Sequence, residues 1–396
     1  MTNHDMMRSS NLLSVFEVVR KHGPVTKKEI QTLTGLSWGS ISGICTNLLE
    51  TGIIRQTDNA YVNSGRTPKS LEINPDQNLI IGLDINLLGI TGVIIDLKGE
   101  TKNVIEEPLE DINRSAIMMQ SKKIIRKLIA SMENRHEVKG IGISFPGHVD
   151  LAAGVSLRIQ HFSGFEGYPI CDDIKKEFGI DALLDNDVNC VAIAEHMLGS
   201  ARETDNFLLV RMSNGIGMTA MIGGEVFRGK SGATGEIGHM IMHPNGPKCQ
   251  CGNNGCLETY ASACAIVERC SDGASLGLSQ LVTDSQGELL SIQEVMDAAS
   301  AGDPYCASVI GKAAAYTGIA IANAVNLLDP DRVVLCGKLA SYSDYSNQII
   351  RFAQEKIWRL EPVDFRIANN HAVSAAVGVA ALFIKQIFLK TLKRLD

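Results

Sequence analysis

The stretch LIIGLDINLLGITGVIIDLKGE, residues 79–100, reads as a strand, a polar turn, a second strand and another turn. A second stretch, FLLVRMSNGIGMTAMIGGEVF at residues 207–227, follows the same plan. Helical segments and a further apolar strand follow each copy, KGIGISFPG (139–147) in the first half and DRVVLCG (331–337) in the second. Two copies of a three-stranded meander with crossover helices predict a two-lobed α/β protein with a ligand-binding cleft between the lobes.

Length and composition limit the other possibilities. The 396 residues are enough for two or three domains. The N-terminus lacks the pattern of a signal peptide, and no apolar run approaches the roughly 18 residues of a membrane span, so we expect a cytoplasmic protein without membrane attachment. The ten cysteines should then be reduced. A net charge of −7 argues against a protein that coats nucleic acid over its whole surface.

Residues 1–74 have a different character, with eight Lys and Arg against six Asp and Glu. The segment NLLSVFEVVRKHG (11–23) has a helical apolar stripe that ends before Pro24. TKKEIQTLTG (26–35) opens with capping-box spacing, and SWGSISGICTNLLETG (37–52) runs from a serine cap to a glycine. These patterns predict a short helix-turn-helix pair after a first helix.

The segment IIRQTDNAYVNSGRTPKSLEIN (53–74) predicts two strands with a turn and a Gly-Arg-Thr-Pro corner, which completes a winged helix. The second helix of such a pair enters the major groove of DNA. Its candidate base contacts are Ser37, Trp38, Ser40, Ser42, Thr46 and Asn47.

Basic residues around this helix are the expected phosphate contacts, and Arg66 at the wing corner is placed to reach a minor groove. The phosphate contacts would be Lys27, Lys28, Arg55 and Lys69. A winged fold used for protein contact is the alternative. We predict a DNA-binding domain over residues 1–74 and the α/β domain over 75–396, with the boundary near Asn74-Pro75.

The segment KCQCGNNGCLE, residues 248–258, places three cysteines within eight positions. Three interpretations compete: a redox pair, a disulfide, or a metal site whose fourth ligand lies elsewhere in the chain.

Two longer stretches carry a family resemblance: LLDNDVNCVAIAEHMLGSAR (183–202) and GKSGATGEIGHMIMHPNGPKCQCGNNGCLETYAS (229–262). They resemble the ROK family of sugar kinases and sugar-responsive transcription regulators. With the winged helix, the chain resembles the regulator branch, which includes repressors of xylose, glucose and N-acetylglucosamine genes. The resemblance covers essentially the full length. It implies an N-terminal winged helix-turn-helix followed by a two-lobed actin-like, sugar-kinase (ribonuclease H-like) ATPase-type domain.

The resemblance and the spacing together favour a metal site over the other two interpretations. A redox pair would favour Cys-x-x-Cys at a helix start, which this segment lacks. One imidazole and three thiolates suit a closed, tetrahedral, structural zinc, one per chain. The predicted ligands are His239, Cys249, Cys251 and Cys256. We expect the other seven cysteines to be packed or inert thiols.

The resemblance also implies a set of sugar contacts, in which Asp187 matches the general base of the kinases. Many members have Asn before a Gly-aromatic pair, but the segment HFSGF (161–165) has a histidine there, so the sugar need not be glucose. The implied sugar contacts are Asn186, Asp187, Glu236, His239, Glu258 and His161.

The nucleotide elements depart from the kinase pattern. Kinases of the family have Asp-Ile-Gly-Gly-Thr, whose bare backbone binds phosphate, whereas this chain has Asn86 and Leu87 in place of the glycines. The loop at residues 213–217 is partly kept, and Lys338 stands in the glycine stretch expected near adenosine. We therefore expect Asp187 to be a vestigial base and the protein to be no enzyme.

The sequence thus predicts a sugar-responsive repressor of carbohydrate-utilisation genes, which binds a double-stranded operator as a homodimer or dimer of dimers and releases it when a sugar binds. Two alternatives stand beside this prediction. One is an active sugar kinase with a DNA-binding head. The other is a regulator controlled by a sugar-transport partner protein.

Overall fold

A computed structural model of the chain describes residues 3–57, 69–132, 138–159, 162–279, 281, 291–368 and 374–392. The chain divides into two compact units. The first comprises Met1–Ala194 and Ala372–Asp396, and the second comprises Glu195–His371.

The N-terminal head begins the first unit. Its elements are α1 (Asn3–His22), α2 (Lys27–Thr34), α3 (Trp38–Glu50), β1 (Ile54–Thr57) and β2 (Ser70–Ile73). The predicted capping box of α2 is present, since Thr26 and Glu29 cap each other's backbone N–H groups. Ser37 caps α3. Strands β1 and β2 pair antiparallel. The predicted wing turn lies outside the described residues.

The remainder of the first unit is an α/β layer. Its elements are β3 (Leu79–Asn86), β4 (Gly89–Ile95), β5 (Thr101–Glu107), α4 (Arg114–Ala130), β6 (Val138–Phe145), β7 (His148–Asp150), β8 (Val155–Arg158), α5 (Ile170–Phe178), β9 (Ala182–Asn186) and the part of α6 (Asp187–Met197) up to Ala194. The main sheet has the order β5-β4-β3-β6-β9. The meander β3-β4-β5 is antiparallel, while β6 and β9 continue the sheet in parallel.

The second unit repeats this plan. Its elements are β10 (Phe207–Met212), β11 (Ile216–Ile222), β12 (Glu225–Val226), α7 (Glu258–Ala261), α8 (Ala263–Ser275), α9 (Ile292–Ser300), α10 (Pro304–Leu328), β13 (Arg332–Cys336), α11 (Ser343–Gln354) and β14 (Asp364–Ile367). The sheet order is β12-β11-β10-β13-β14, with the same antiparallel meander and two parallel strands. The predicted internal repeat is confirmed.

The last helix, α12 (Ser374–Leu392), returns to the first unit and covers β3 and β6. Glycines on these strands allow a very close approach. A Cβ at Gly82 would lie 1.9 Å from the carbonyl oxygen of Ala376, and one at Gly142 would lie 2.6 Å from that of Val379. Side chains at these two positions would therefore force the helix away from the sheet.

Helix α10 alters one expectation drawn from the sequence. In the described part of the chain it is the one helix long and apolar enough to cross a membrane. Half of its apolar window is nevertheless buried inside the protein, where α10 packs on α9 and α11. Such burial is typical of a core helix, so its hydropathy is explained by packing.

Candidate functional site

Four potential metal ligands converge in the second unit. The short helical turn Ile237–His239 presents the imidazole, and the loop at residues 248–257 presents three thiols. One ligand atom from each residue lies within 4.8 Å of all the others. The four are the predicted ligands His239, Cys249, Cys251 and Cys256.

The spacing of these atoms fits a tetrahedral zinc ion. Cys249 Sγ lies 3.7 Å from His239 Nδ1, and Cys251 Sγ lies 3.6 Å from Cys256 Sγ. Ligands of a tetrahedral zinc with bonds of about 2.3 Å lie about 3.8 Å apart. The donor set is also the one that zinc prefers.

Backbone hydrogen bonds hold the cysteine loop in this shape. The Cys249 N–H donates to the Asn253 carbonyl at 2.9 Å, and the Gly255 N–H donates to the Pro247 carbonyl at 2.8 Å. Burial raises the pKa of the Cys256 thiol to about 12, whereas a backbone hydrogen bond at Asn253 lowers the pKa of the Cys251 thiol. A bound cation would supply the charge that keeps such buried thiols ionised.

The two ring nitrogens of His239 have different neighbours. Its Nδ1 faces Cys249, while its Nε2 lies 3.9 Å from Glu236 Oε2. The two roles predicted for His239, as a metal ligand and as a sugar contact, would therefore use different ring nitrogens. A metal on Nδ1 would fix the ring and direct Nε2 toward Glu236.

Glu258 begins α7, and its side chain lies beside Gly238 in the short helical turn that carries His239. Its Oε2 accepts the Ile216 N–H at 3.2 Å and would lie 3.4 Å from a Cβ at Gly238. The second unit thus brings together three predicted sugar contacts and the metal cluster.

The first unit holds Asn186 and Asp187, at the carboxyl end of β9 and the start of α6. The Asn186 side chain is occupied by the fold: Oδ1 accepts the Val188 N–H at 2.9 Å, and Nδ2 donates to the Gly147 carbonyl at 2.9 Å. This arrangement caps α6 and fixes Asp187 beside it. His161 lies outside the described residues.

A buried polar network at the same sheet edge was missed by the sequence reasoning. Asp185 is fully buried, and its Oδ1 accepts hydrogen bonds from the Asn186 N–H at 2.8 Å and from Asn189 Nδ2 at 3.1 Å. Ser144 at the end of β6 donates to Asp84 Oδ1 at 2.6 Å. The available signal was a polar residue ending each apolar strand.

The β3–β4 turn closes on itself. Asn86 Oδ1 accepts the Leu88 N–H at 2.9 Å, and Asn86 Nδ2 donates to Asp84 Oδ2 at 2.8 Å. Leu88 is exposed at the tip. The side chain of Asn86 therefore occupies the Leu88 N–H, a backbone donor that a glycine turn would leave to a phosphate.

The corresponding turn of the second unit, between β10 and β11, is tied to the segment after β13. Ser213 Oγ accepts the Lys338 N–H at 3.1 Å. The Lys338 ammonium lies 5.6 Å from the centre of the Tyr342 ring, within cation–π range. A basic, stacked side chain thus stands where the family pattern has glycine.

The outer surface of α3 is the candidate DNA surface. Ser37, Trp38, Ser40 and Thr46 are exposed, as the prediction requires. Ser42 is half-buried. Asn47 is also half-buried, and its Oδ1 is buried without a hydrogen-bond partner among the described residues.

The predicted DNA-backbone and groove contacts differ in their exposure and in their ion pairs. Lys69 is exposed and Arg66 lies outside the described residues. Arg55 instead pairs with Glu72 at 2.7 Å and with Asp76 at 3.1 Å, which raises the pKa of its guanidinium. Two neighbouring carboxylates make Arg55 a poor phosphate ligand.

Among the other seven cysteines, Cys264 is exposed, but desolvation raises the pKa of its thiol, which makes it less reactive. The remaining six are buried. Burial raises the pKa of Cys171 to about 12 and raises that of Cys190 well above its usual value, so these thiols are unreactive.

A helix-turn-helix head and two sheets of equal topology define an α/β protein of the sugar-kinase type with an added N-terminal domain. The ROK family model matches residues 80–386. The chain therefore belongs to the ROK family.

Relatives include both regulators and kinases. The DNA-binding transcriptional dual regulator NagC of Escherichia coli is 27% identical over 338 residues, which cover 85% of this chain and 82% of the relative. The xylose repressor of Bacillus subtilis is 25% identical over 334 residues, covering 83% and 82%.

Two solved structures separate the added head from the shared domain. A ROK family transcriptional regulator, described as a homologue of the E. coli MLC protein, matches with a TM-score of 0.85 at 25% identity and covers 98% of both chains. A ROK hexokinase from Thermus thermophilus matches with a TM-score of 0.66 at 27% identity, with 78% of this chain covering 99% of the hexokinase. The regulator thus shares nearly the whole chain, and the kinase shares a part of it.

Proposed function

We propose that this protein is a transcriptional repressor that binds an operator through its helix-turn-helix and releases it when a sugar binds the ROK domain. One observation supports the proposal most strongly. The same chain has a helix-turn-helix whose second helix is exposed and a ROK domain whose β3–β4 turn is closed by Asn86. The similarity to relatives named as repressors of N-acetylglucosamine and xylose genes supports it.

The proposed sugar contacts are carboxylates and imidazoles, because a polyol needs several fixed acceptors and donors. Asn186 serves chiefly to hold the start of α6, since both ends of its amide are engaged in the fold. The proposed direct contacts are Asp187, Glu236, His239 through Nε2, Glu258 and His161.

One structural zinc ion per chain is proposed at the Cys3His cluster, supported by the ligand spacing and the donor set. Its role is to stabilise the cysteine loop and to fix His239 next to Glu236.

On DNA, Ser37, Trp38, Ser40, Ser42 and Thr46 of the α3 segment face the bases in this proposal. Lys69 contacts the phosphate backbone, and Arg66 reaches a minor groove. A palindromic operator requires two heads about one helical turn apart, roughly 34 Å, so the active form is a homodimer or a dimer of dimers in the cytoplasm. Sedimentation at micromolar concentration should show at least a dimer, and a pure monomer would contradict the operator model.

A sugar kinase is the second candidate, favoured by the kept Asp187 and by the likeness to the Thermus hexokinase. A thermal-shift screen of the purified protein against monosaccharides, with and without ATP, separates the two. A repressor should be stabilised by a sugar alone, because a ligand that binds the folded state raises the midpoint. The same sugar should then release the protein from its operator in a gel-shift assay, and stabilisation only with ATP would favour the kinase.

A further inference from the structure

The face of α3 that the head leaves uncovered has an unusual composition for a DNA-reading helix. Trp38 is 53% exposed, and Gly39, Gly43 and Thr46 are exposed on the same face. The thirteen residues of α3 contain no Lys, Arg or Gln. The helix therefore lacks the side chains that contact guanine through two hydrogen bonds.

The two serines at the start of this helix hydrogen-bond to each other. Ser37 Oγ and Ser40 Oγ lie 2.9 Å apart and hydrogen-bond to each other, and Ser37 Oγ also accepts the Ser40 N–H. Asn47, the residue type that reads adenine through both atoms of its amide, has a buried Oδ1. The largest exposed side chain of this face is the Trp38 indole, and Thr46 adds a methyl group, so the face offers apolar contacts besides its hydroxyl groups.

The two glycines have no explanation inside the head. Both lie in the helix, where glycine is less favourable than any residue except proline. A Cβ at Gly39 or Gly43 would meet nothing within 4 Å. The fold therefore tolerates alanine at either position, whereas a surface that approaches the helix backbone closely would not.

We propose that α3 reads thymine. The Trp38 ring and the Thr46 methyl group contact thymine C5-methyl groups in the major groove, the apolar feature that only A·T pairs display there. Gly39 and Gly43 let the helix backbone approach the base edges. This inference rests on the proposed function, because it requires an operator, and it specifies that the bases opposite α3 are A·T pairs read through methyl groups.

The test begins with the full-length protein selecting its binding sequence from random DNA. The selected duplex is then remade with deoxyuridine in place of each thymidine in turn, which removes the methyl group and keeps the base pair. We expect affinity to fall about fourfold for each contacted methyl. Trp38→Ala should weaken binding and abolish the thymidine–deoxyuridine difference at its position.

Trp358 supplies a matched control, because it is the other tryptophan, is 93% exposed and lies in the second unit. Trp358→Ala should leave both operator affinity and the deoxyuridine effect unchanged. Gly39→Ala and Gly43→Ala should raise the thermal midpoint and yet weaken operator binding, a pair of opposite effects that a purely structural role would not give.

The possible outcomes distinguish a failure of thymine recognition by α3 from a failure of the proposed repressor function. Failure to select any sequence, with only non-specific binding, overturns the repressor proposal and this inference with it. A selected operator that binds equally well with deoxyuridine, or a Trp38→Ala variant that keeps the full deoxyuridine effect, overturns the thymine inference alone. Normal operator binding by both glycine variants overturns the close approach.

Discussion

At the scale of single residues, Asn86 changes what the β3–β4 turn can bind. Its amide accepts the Leu88 N–H and donates to the Asp84 carboxylate. Phosphate-binding turns depend on backbone N–H groups that remain available to the ligand and on the absence of side chains above them. The turn of this protein departs from that pattern in two ways, since its Leu88 N–H is already bonded to Asn86 and the side chains of Leu87 and Leu88 are exposed at its tip.

The first prediction follows from this turn. The wild-type protein, incubated with its sugar and ATP, should form no sugar phosphate at a kinase-like rate, because Asn86, Leu87 and Lys338 obstruct the nucleotide. A coupled assay for ADP release measures this, with a ROK hexokinase as the positive control. Rapid formation of sugar phosphate from ATP would favour the kinase function over the repressor function.

A second prediction concerns Ser156, whose hydroxyl is fully buried without a hydrogen-bond partner among the described residues. An unsatisfied buried group costs about 1–3 kcal/mol. Ser156→Ala should therefore raise the thermal midpoint by about 2–4 °C for each kcal/mol recovered. Ser144→Ala is the contrasting variant, because it removes a hydrogen bond to buried Asp84 and should lower the midpoint. A lower midpoint for Ser156→Ala would show that its hydroxyl is satisfied.

At the scale of elements, the cysteine loop links stability to the candidate sugar site. It holds three thiols beside His239, whose other nitrogen faces Glu236. Loss of a metal there would free the imidazole as well as the loop, since metal binding and local folding share one free energy.

The third prediction tests this link. Cys251→Ser should give protein with less than one zinc per chain by elemental analysis, a lower thermal midpoint and a weaker response to sugar. Cys264→Ser is the matched control, because Cys264 is an exposed cysteine of the same unit outside the metal cluster. Full stability of metal-free wild type would refute a structural zinc.

Patterns among neighbouring residues predicted some elements of the fold, but they could not predict contacts between distant parts of the chain. The capping box at Thr26 and Glu29 and the repeated meander are encoded by neighbouring residues, and both were predicted. The return of α12 to the first sheet depends on Gly82 and Gly142, far away in sequence, and no local pattern announces it. The spacing and the resemblance together supplied the metal ligands. The closure of the β3–β4 turn by Asn86 is local, but it depends on the orientation of one side chain, which the sequence pattern does not specify.

At the scale of the whole molecule, the head is continuous with the first sheet. Asn78 Nδ2 donates to the Gly52 carbonyl at the end of α3 at 3.3 Å, and β3 begins at the next residue. The other end of β3 carries Asp84, within the buried network that surrounds the start of α6. One strand therefore joins the residues that follow α3 to the sheet edge that holds Asp187.

The last prediction concerns release of the operator. Switching from about 99% DNA-competent to about 1% requires roughly 5.5 kcal/mol of differential sugar affinity. A charged hydrogen bond contributes about 1.5–3 kcal/mol, so the loss of one carboxylate should leave too little to complete the switch. We expect Asp187→Ala and Glu236→Ala to bind operator normally and to remain bound at sugar concentrations that release the wild type, measured by fluorescence anisotropy.

The controls for this prediction follow from the geometry. Glu258 is a poorer choice of variant, because its Oε2 also holds the Ile216 backbone and its loss would disturb the loop. Glu203→Ala removes an exposed carboxylate of the second unit that lies outside the proposed site, and it should release as the wild type does. Normal release by both site variants would place the effector elsewhere, whereas loss of operator binding in either would mean that the carboxylate supports the DNA-competent fold itself.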